Sequence, residues 1–417
     1  MAIALSVHRR PSCWFFASIA LVIALSALPA CAQTPDPQPP GPPPDPARPP
    51  LNPFPAEQNW SFLADPSKRT DFFDRIKYIS LGDNPQMYLS LGFEYRIEYE
   101  NYHNWMFGAP PQDNNGYVFN RVMPHFDFHV GNDFRLFTEF EFGYEDGRIG
   151  GPRPQIDEDR GDVHQAFVEI GSHVSSPRGI SLRAGRQEIV LGSGRLMDNN
   201  EGPNVKLSFD GFRAIAESAH VRLDLFAVKP VENNLDWFDD VPNPAESVWG
   251  SYLTIPAPIV SRGQADFYYI GLNSKSSTYN RGTAPEFRNT VGTRIFRPVG
   301  KGWDYNWEPN YQWGSFGSAS IRAWSVSTET GYTFDRIRFH PRPLLRADVY
   351  SGDGNPGKSA PRYLQLALPA WRILYSQSSA FPWTSESDRL ASCGSIPVED
   401  ECHGSLCLGL VLEGINA

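Results

Sequence analysis

Between Met87 and Tyr102 the chain reads MYLSLGFEYRIEYENY, and the alternation in it constrains the fold more than any other feature. Met87, Leu89, Leu91, Phe93, Tyr95, Ile97 and Tyr99 are apolar or aromatic; between them stand Tyr88, Ser90, Gly92, Glu94, Arg96, Glu98 and Glu100. A period of two sends successive side chains to opposite faces, so the stretch is a strand with one apolar and one charged face. It is roughly three times as long as the ~5–6 residues of an ordinary globular strand.

The pattern recurs. Val118, Val122, Phe126, Phe128 and Val130 share a face opposite Arg121, His125, Asp127 and His129. Phe134, Leu136, Thr138, Phe140, Phe142 and Tyr144 oppose a face with Arg135, Glu139 and Glu141. Similar runs follow at Val221–Leu225, Trp303–Trp313 and Leu345–Val349, and about twelve such segments lie between Met87 and Tyr350. Turn signals such as GND at 131–133 separate them, and no sustained 3.6-residue period competes.

A soluble β-sandwich also alternates. Three features favour a membrane barrel instead. The strands match or exceed the ~9–11 residues needed to cross a bilayer at a tilt. The polar face carries charges in rows, which a sandwich core excludes. Aromatics crowd the other face near strand ends, as in interfacial girdles. The expected fold is all-β, a transmembrane antiparallel β-barrel with lipid on the Met87 face and a water-filled lumen on the Glu94/Arg96 face. Only closure satisfies every backbone group in lipid. The mean hydropathy of −0.39 excludes a polytopic helical membrane protein. A formal net charge of −10 without basic runs argues against nucleic acid as a partner.

Residues 1–32 read as a secretory signal: Arg9 and Arg10, an apolar run from Trp14 to Leu28, and Ala30-Cys31-Ala32 before a cleavage at Gln33. The alternative is a lipoprotein signal, Leu28-Pro29-Ala30-Cys31. Residues 33–56 form a proline-rich linker, expected to be extended and disordered. No cysteine occurs from Gln33 to Ser392, so no disulfide framework holds the body; three then appear, Cys393, Cys402 and Cys407.

Four stretches resemble the alginate export family of outer-membrane porins: EQNWSFLADPSKRTDFFDRIKYISLGDNPQMYLSLGFEYRIEYE at 57–100, DEDRGDVHQAFVEIG at 157–171, SLRAGRQEIVLGSGRLMDNNEGPNVKLSFDGFRA at 181–214, and SGDGNP at 351–356. The resemblance implies a monomeric barrel of eighteen strands with an arginine-rich lumen that passes a polyanionic uronate polymer. Fixed guanidinium groups would offset the desolvation of its carboxylates, and a row of weak sites would let it slide. The matching positions are Arg183, Arg186, Arg195 and Arg213, with Asp210 beside them. Alternation alone adds Arg96, Arg121, Arg135, Arg222, Arg288, Arg294 and Arg346 to the inward face. Arg183 and Arg186 are three apart and share a face only across a bulge.

The lumen departs from a polyanion slide. Arg96 lies between Glu94 and Glu98, Arg135 is followed by Glu139 and Glu141, Arg222 has Asp224 and Arg346 has Asp348. Mixed signs fit a general porin, and for any one arginine the plain alternative is a salt bridge within the wall. The expected function is a passive outer-membrane channel for anionic polysaccharide or small solutes, in a Gram-negative cell. Its expected partners are outer-membrane lipid, the solute and the barrel-assembly machinery. The alternatives are a barrel enzyme acting on lipid or polysaccharide, or a non-functional truncated product. Enzyme motifs are absent: His125 and His129 stand about 13 Å apart on a strand, too far to chelate one ion. No catalytic, cofactor or metal site is expected; the acidic IDEDRGD at 156–162 reads as a solvated turn, with cation binding as its alternative.

After SGDGNPGK the alternation stops. Back-translated with permitted codons and regrouped one base on, Arg362–Leu374 yields Gly-Thr-Phe-Asn-Ser-Leu-Phe-Pro-Arg-Gly-Glu-Tyr, which resembles the family run after S-G-D-G-N-P. The expectation is a frameshift between Gly357 and Arg362, with residues 57–356 forming the family domain and 357–417 a disordered non-family tail; about twelve of the eighteen strands then remain, so the expected sheet is open and curved, an incomplete barrel.

Overall fold

The computed structural model describes residues 48–49, 51–103, 112–172, 174, 178–257, 262–279, 282–351, 389–396 and 402–411. The expected signal peptide, most of the linker and the stretch around the expected frameshift lie outside the described residues.

The strands are β1 (Ile79–Ser80), β2 (Met87–Glu100), β3 (Tyr117–Val130), β4 (Phe134–Asp146), β5 (Asp159–Gly171), β6 (Gly179–Gln187), β7 (Phe209–Glu217), β8 (Arg222–Glu232), β9 (Val241–Pro242), β10 (Glu246–Ala257), β11 (Gly263–Tyr279), β12 (Gly282–Arg297), β13 (Gly302–Phe316), β14 (Ala319–Thr333), β15 (Arg342–Ser351), β16 (Arg389–Ile396) and β17 (Cys402–Val411). From β2 to β8 and on from β10 to β15 each strand pairs antiparallel with its neighbour, and β8 pairs directly with β10. Apart from β9, these strands are 9 to 17 residues long. The helical content of the described residues is one α-helical turn, Asp74–Lys77, and three 3-10 turns before it.

The sheet is turned inside out relative to a water-soluble protein. On the outward face Phe93 is 62% exposed, Ile97 64% and Phe212 70%. On the inward face Arg121 is fully buried, and Arg135, Arg183, Glu139 and Glu169 are buried too. Leaving phenylalanines in solvent and burying guanidiniums is unfavourable in water. It becomes favourable when the outer face meets hydrocarbon and the inner charges pair across a lumen. The chain is thus a transmembrane β-barrel type, as the alternation requires. One end carries the short turns 131–133, 218–221 and 298–301 and the eight residues 334–341; the other carries the longer loops 147–158, 188–208 and 233–245 and the tight turn 317–318. In outer-membrane barrels short turns face the periplasm.

Three findings bear on these expectations. First, the sheet is open among the described residues, as an incomplete barrel is: apart from the two-residue β1, no register pairs the outer edge of β2. Second, the end of the proline-rich linker is packed rather than disordered. Arg48 pairs with Asp74 at 2.8 Å, and the Ala56 carbonyl accepts from Arg135 Nη1 at 2.6 Å. Ala56 clusters with Phe137 and Phe167 inside the sheet, while Trp60 and Leu63 pack on Tyr78 and Tyr88. Prolines restrict this segment, but the inner wall supplies partners that a free linker lacks. Third, part of the tail carries strands: β17 pairs with β15 from Arg342↔Val411 to Ser351↔Cys402, and β16 pairs with β17. The sequence there alternates Leu406, Leu408 and Leu410 with Ser405, Cys407 and Gly409, and the unpaired edge of β15 offers it a ladder.

Candidate functional site

The loop 188–208 between β6 and β7 does not leave the barrel end; it folds inward and crosses the lumen. Its apolar residues Ile189, Leu191, Leu196, Met197 and Leu207 bury against Phe226, Val228, Val248, Tyr252 and Tyr268 on the wall strands β8, β10 and β11. Gly192 sits in the left-handed region (φ +61°), and a β-carbon there would run into the Tyr252 hydroxyl. Apolar burial seats one side of the loop, and charges seat the rest.

On the β2–β3 side, Arg96 donates to the carbonyls of Glu201, Gly202 and Pro203 at 2.7, 3.0 and 3.1 Å. Arg121 bonds Glu94 at 2.6 Å and also reaches Glu201 and the Pro203 carbonyl. Lys206 Nζ lies 2.7 Å from Glu201 and 3.4 Å from Glu94. On the opposite wall, Ser193 Oγ donates to Glu308 at 2.6 Å, and Arg195 lies 3.3 Å from Glu308 and 3.7 Å from Asp348. Burial works against the charge of Lys206, but Glu188 and Glu201 outweigh it and raise its pKa. Burial also opposes ionisation of Glu188, yet Lys206 and the imidazole of His164 hold its pKa below the usual carboxylate value. Burial pushes Asp198, farther along the loop, up to about 6.

A second inward element closes in from the short-turn end. Glu57 lies 3.2 Å from Arg183 Nη1, and Arg183 bonds Glu169 at 2.9 Å with its guanidinium 4.2 Å over the Phe167 ring. Burial raises the Glu57 pKa, but Arg183, Arg213 and Arg222 overcome it, so the net shift is downward.

The twelve residues singled out by sequence divide clearly. Arg96, Arg121, Arg135, Arg183, Arg213, Arg222, Arg288, Arg294 and Arg346 project from the inner wall, and Arg195 stands on the crossing loop. Each meets a carboxylate: Arg135 with Asp127 at 2.7 Å, Arg213 and Arg222 with Asp224 at 2.6 and 2.9 Å, Arg288 with Glu286 at 2.6 Å, Arg294 with Asp266 at 3.2 Å and Arg346 with Asp348 at 3.0 Å. Arg186 and Asp210 do not belong to the lumen. No bulge interrupts β6, so Arg186 takes the face of exposed Leu182, opposite Arg183. There it bonds Asp210 at 2.9 Å and the carbonyls of Val163 and Asp240 at 2.9 and 3.2 Å. Near a strand end, the pair neutralises itself at the rim.

Sequence reasoning missed Glu57, His164, Glu188, Glu201, Lys206 and Glu308. One signal was present: the span between β6 and β7 exceeds the ~12–15 residues beyond which structureless loops are usually functional. His164 comes inward through a bulge. The register of β4 with β5 shifts between Glu139↔Gln165 and Phe140↔Val163, so His164 and Gln165 are both buried on the inner face.

The model of the alginate export family matches residues 87–366. No curated protein matches the chain. Among solved structures, OpdK of Pseudomonas aeruginosa with vanillate is 10% identical, covering 78% of this chain and 97% of its own at a TM-score of 0.32. OccAB4 of Acinetobacter baumannii is 9% identical, covering 78% and 96% at 0.35. OmpT of Vibrio cholerae is 6% identical, covering 80% and 99% at 0.32.

Proposed function

Because the chain belongs to the alginate export family, we propose that it is an outer-membrane channel passing anionic polysaccharide or small solutes, with little preference for charge sign. The supporting observation is the pairing on the inner wall: every inward arginine singled out above has a carboxylate within ion-pair distance. A guanidinium already neutralised by a neighbour attracts a passing anion weakly, so the lumen acts as a transverse field of mixed sign rather than a cationic slide. The crossing loop narrows the path, and the N-terminal segment narrows it again at the short-turn end. In this reading a Sec signal delivers the chain, the barrel-assembly machinery inserts it, and it works as a monomer without catalytic chemistry.

Planar-bilayer recording tests the proposal. The expected result is a steady current whose reversal potential in a salt gradient lies near zero. A strong anion preference would overturn the mixed-lumen reading in favour of a dedicated polyuronate exporter. No current at all would overturn the channel reading.

A further inference from the structure

We propose that Glu139, His164 and Glu188 bind a divalent transition-metal ion, zinc by their donor set, which fastens the crossing loop to the barrel wall. One ligand atom from each lies within 4.8 Å of the others. The three residues come from different elements: Glu139 from β4, His164 from the bulge in β5, and Glu188 from the first position of the loop. All are buried, with exposures of 2%, 4% and 9%.

The surroundings are built as a second shell would be. Glu141 Oε2 lies 3.1 Å from His164 Nδ1 and fixes the ring so that Nε2 points at Glu188 Oε1, 2.8 Å away. A carboxylate on the far imidazole nitrogen is the usual device for orienting a metal-binding histidine. Gln165 Nε2 donates to Glu139 at 2.7 Å, and Asn199 Nδ2 donates to Glu188 at 3.0 Å. A further donor stands nearby: His125 Nδ1 is buried, has no hydrogen-bond partner among the described residues, and lies 3.8 Å from Glu139 Oε1.

Charge points the same way. Five carboxylates converge here, those of Glu94, Glu139, Glu141, Glu188 and Glu201. They face two permanent cations, Arg121 and Lys206, while Arg96 is shared with Glu98 at 2.9 Å. Uncompensated buried carboxylates are costly, and a divalent ion offsets them. Imidazole with carboxylates suits zinc better than calcium or magnesium, which prefer all-oxygen sites. At Zn–N and Zn–O distances of ~2.0–2.2 Å, donors already this close reach an ion by side-chain rotation.

The test is calorimetric titration of metal-stripped, folded protein in detergent with zinc chloride alone. The expected result is one zinc per chain, undiminished by excess calcium or magnesium. His164→Ala and Glu188→Gln should each weaken binding at least tenfold. Glu141→Gln, which alters the partner of the ring and leaves the three ligands in place, should weaken it about 10–100-fold. Glu188→Gln lies in the loop rather than the wall, so it serves if His164→Ala fails to fold. Absence of saturable binding by the unaltered chain overturns the proposal, as does unchanged binding by the folded Glu188→Gln variant. The measurement needs no current, so its outcome is separate from that of the channel reading.

Discussion

At the scale of single residues, Glu57 shows how sequence and structure divide the work. The family resemblance pointed to Arg183, Arg186 and Arg213 alike. Alternation separated Arg183 from Arg186, three positions on, because a strand leaves a side chain only two choices, and the unbulged β6 puts them on opposite faces. Nothing in the pattern could place Glu57, which precedes the first strand and reaches Arg183 across 126 positions of chain. Its ion pair has a pH signature. Because the folded pKa lies below the ordinary 4.5, the pair stabilises the seated segment at all pH above that value. The stabilisation fades as pH falls from 4.5 through the folded pKa. Glu169 on β5 opposes the shift, while Arg183, Arg213 and Arg222 on β6, β7 and β8 drive it. Conductance should therefore rise on acidification below about pH 4.5 in the unaltered protein. Glu57→Gln should remove that dependence and cost about 1.5–3 kcal/mol of seating, the range for a hydrogen bond to a charged group. An unchanged acid response in Glu57→Gln would assign the effect elsewhere.

Elements were legible in proportion to their periodicity. The strand at Met87–Glu100 needed only its own sequence to be found and oriented. The 188–208 loop has neither a period nor a turn-sized length, and its inward course depends on apolar partners in β8, β10 and β11. The bulge at His164 was equally hidden, since one extra residue leaves no mark in composition. Gly192 tests the loop's seat. Gly192→Val puts a β-branched residue at positive φ, costing about 1–3 kcal/mol, and drives a side chain into the Tyr252 hydroxyl. Single-channel conductance should increase while the barrel keeps its heat-modifiable migration on gels. If conductance stays the same, the loop does not set the narrowest point of the path.

For the whole molecule, the fold class followed from the inside-out faces, and the open sheet followed from a count of about twelve strands where the family resemblance implies eighteen. The nucleotides across codons 355–392 should encode, one base on, the Gly-Thr-Phe-Asn run; if the shifted frame lacks it, the tail has another origin. Unpaired edges in lipid cost several kcal/mol for each unsatisfied backbone group, so restoring that frame should raise the yield of heat-modifiable protein. The crossing loop adds a constraint on the order of events during assembly. Its contacts join residues far apart in sequence: Arg96 with Glu201, Arg121 with Pro203, Ser193 with Glu308. Loop-closure entropy must be met before such contacts contribute. The walls therefore curl into proximity first and the crossbar latches last, so a newly inserted barrel passes through an interval in which its bore is wide and the loop still free.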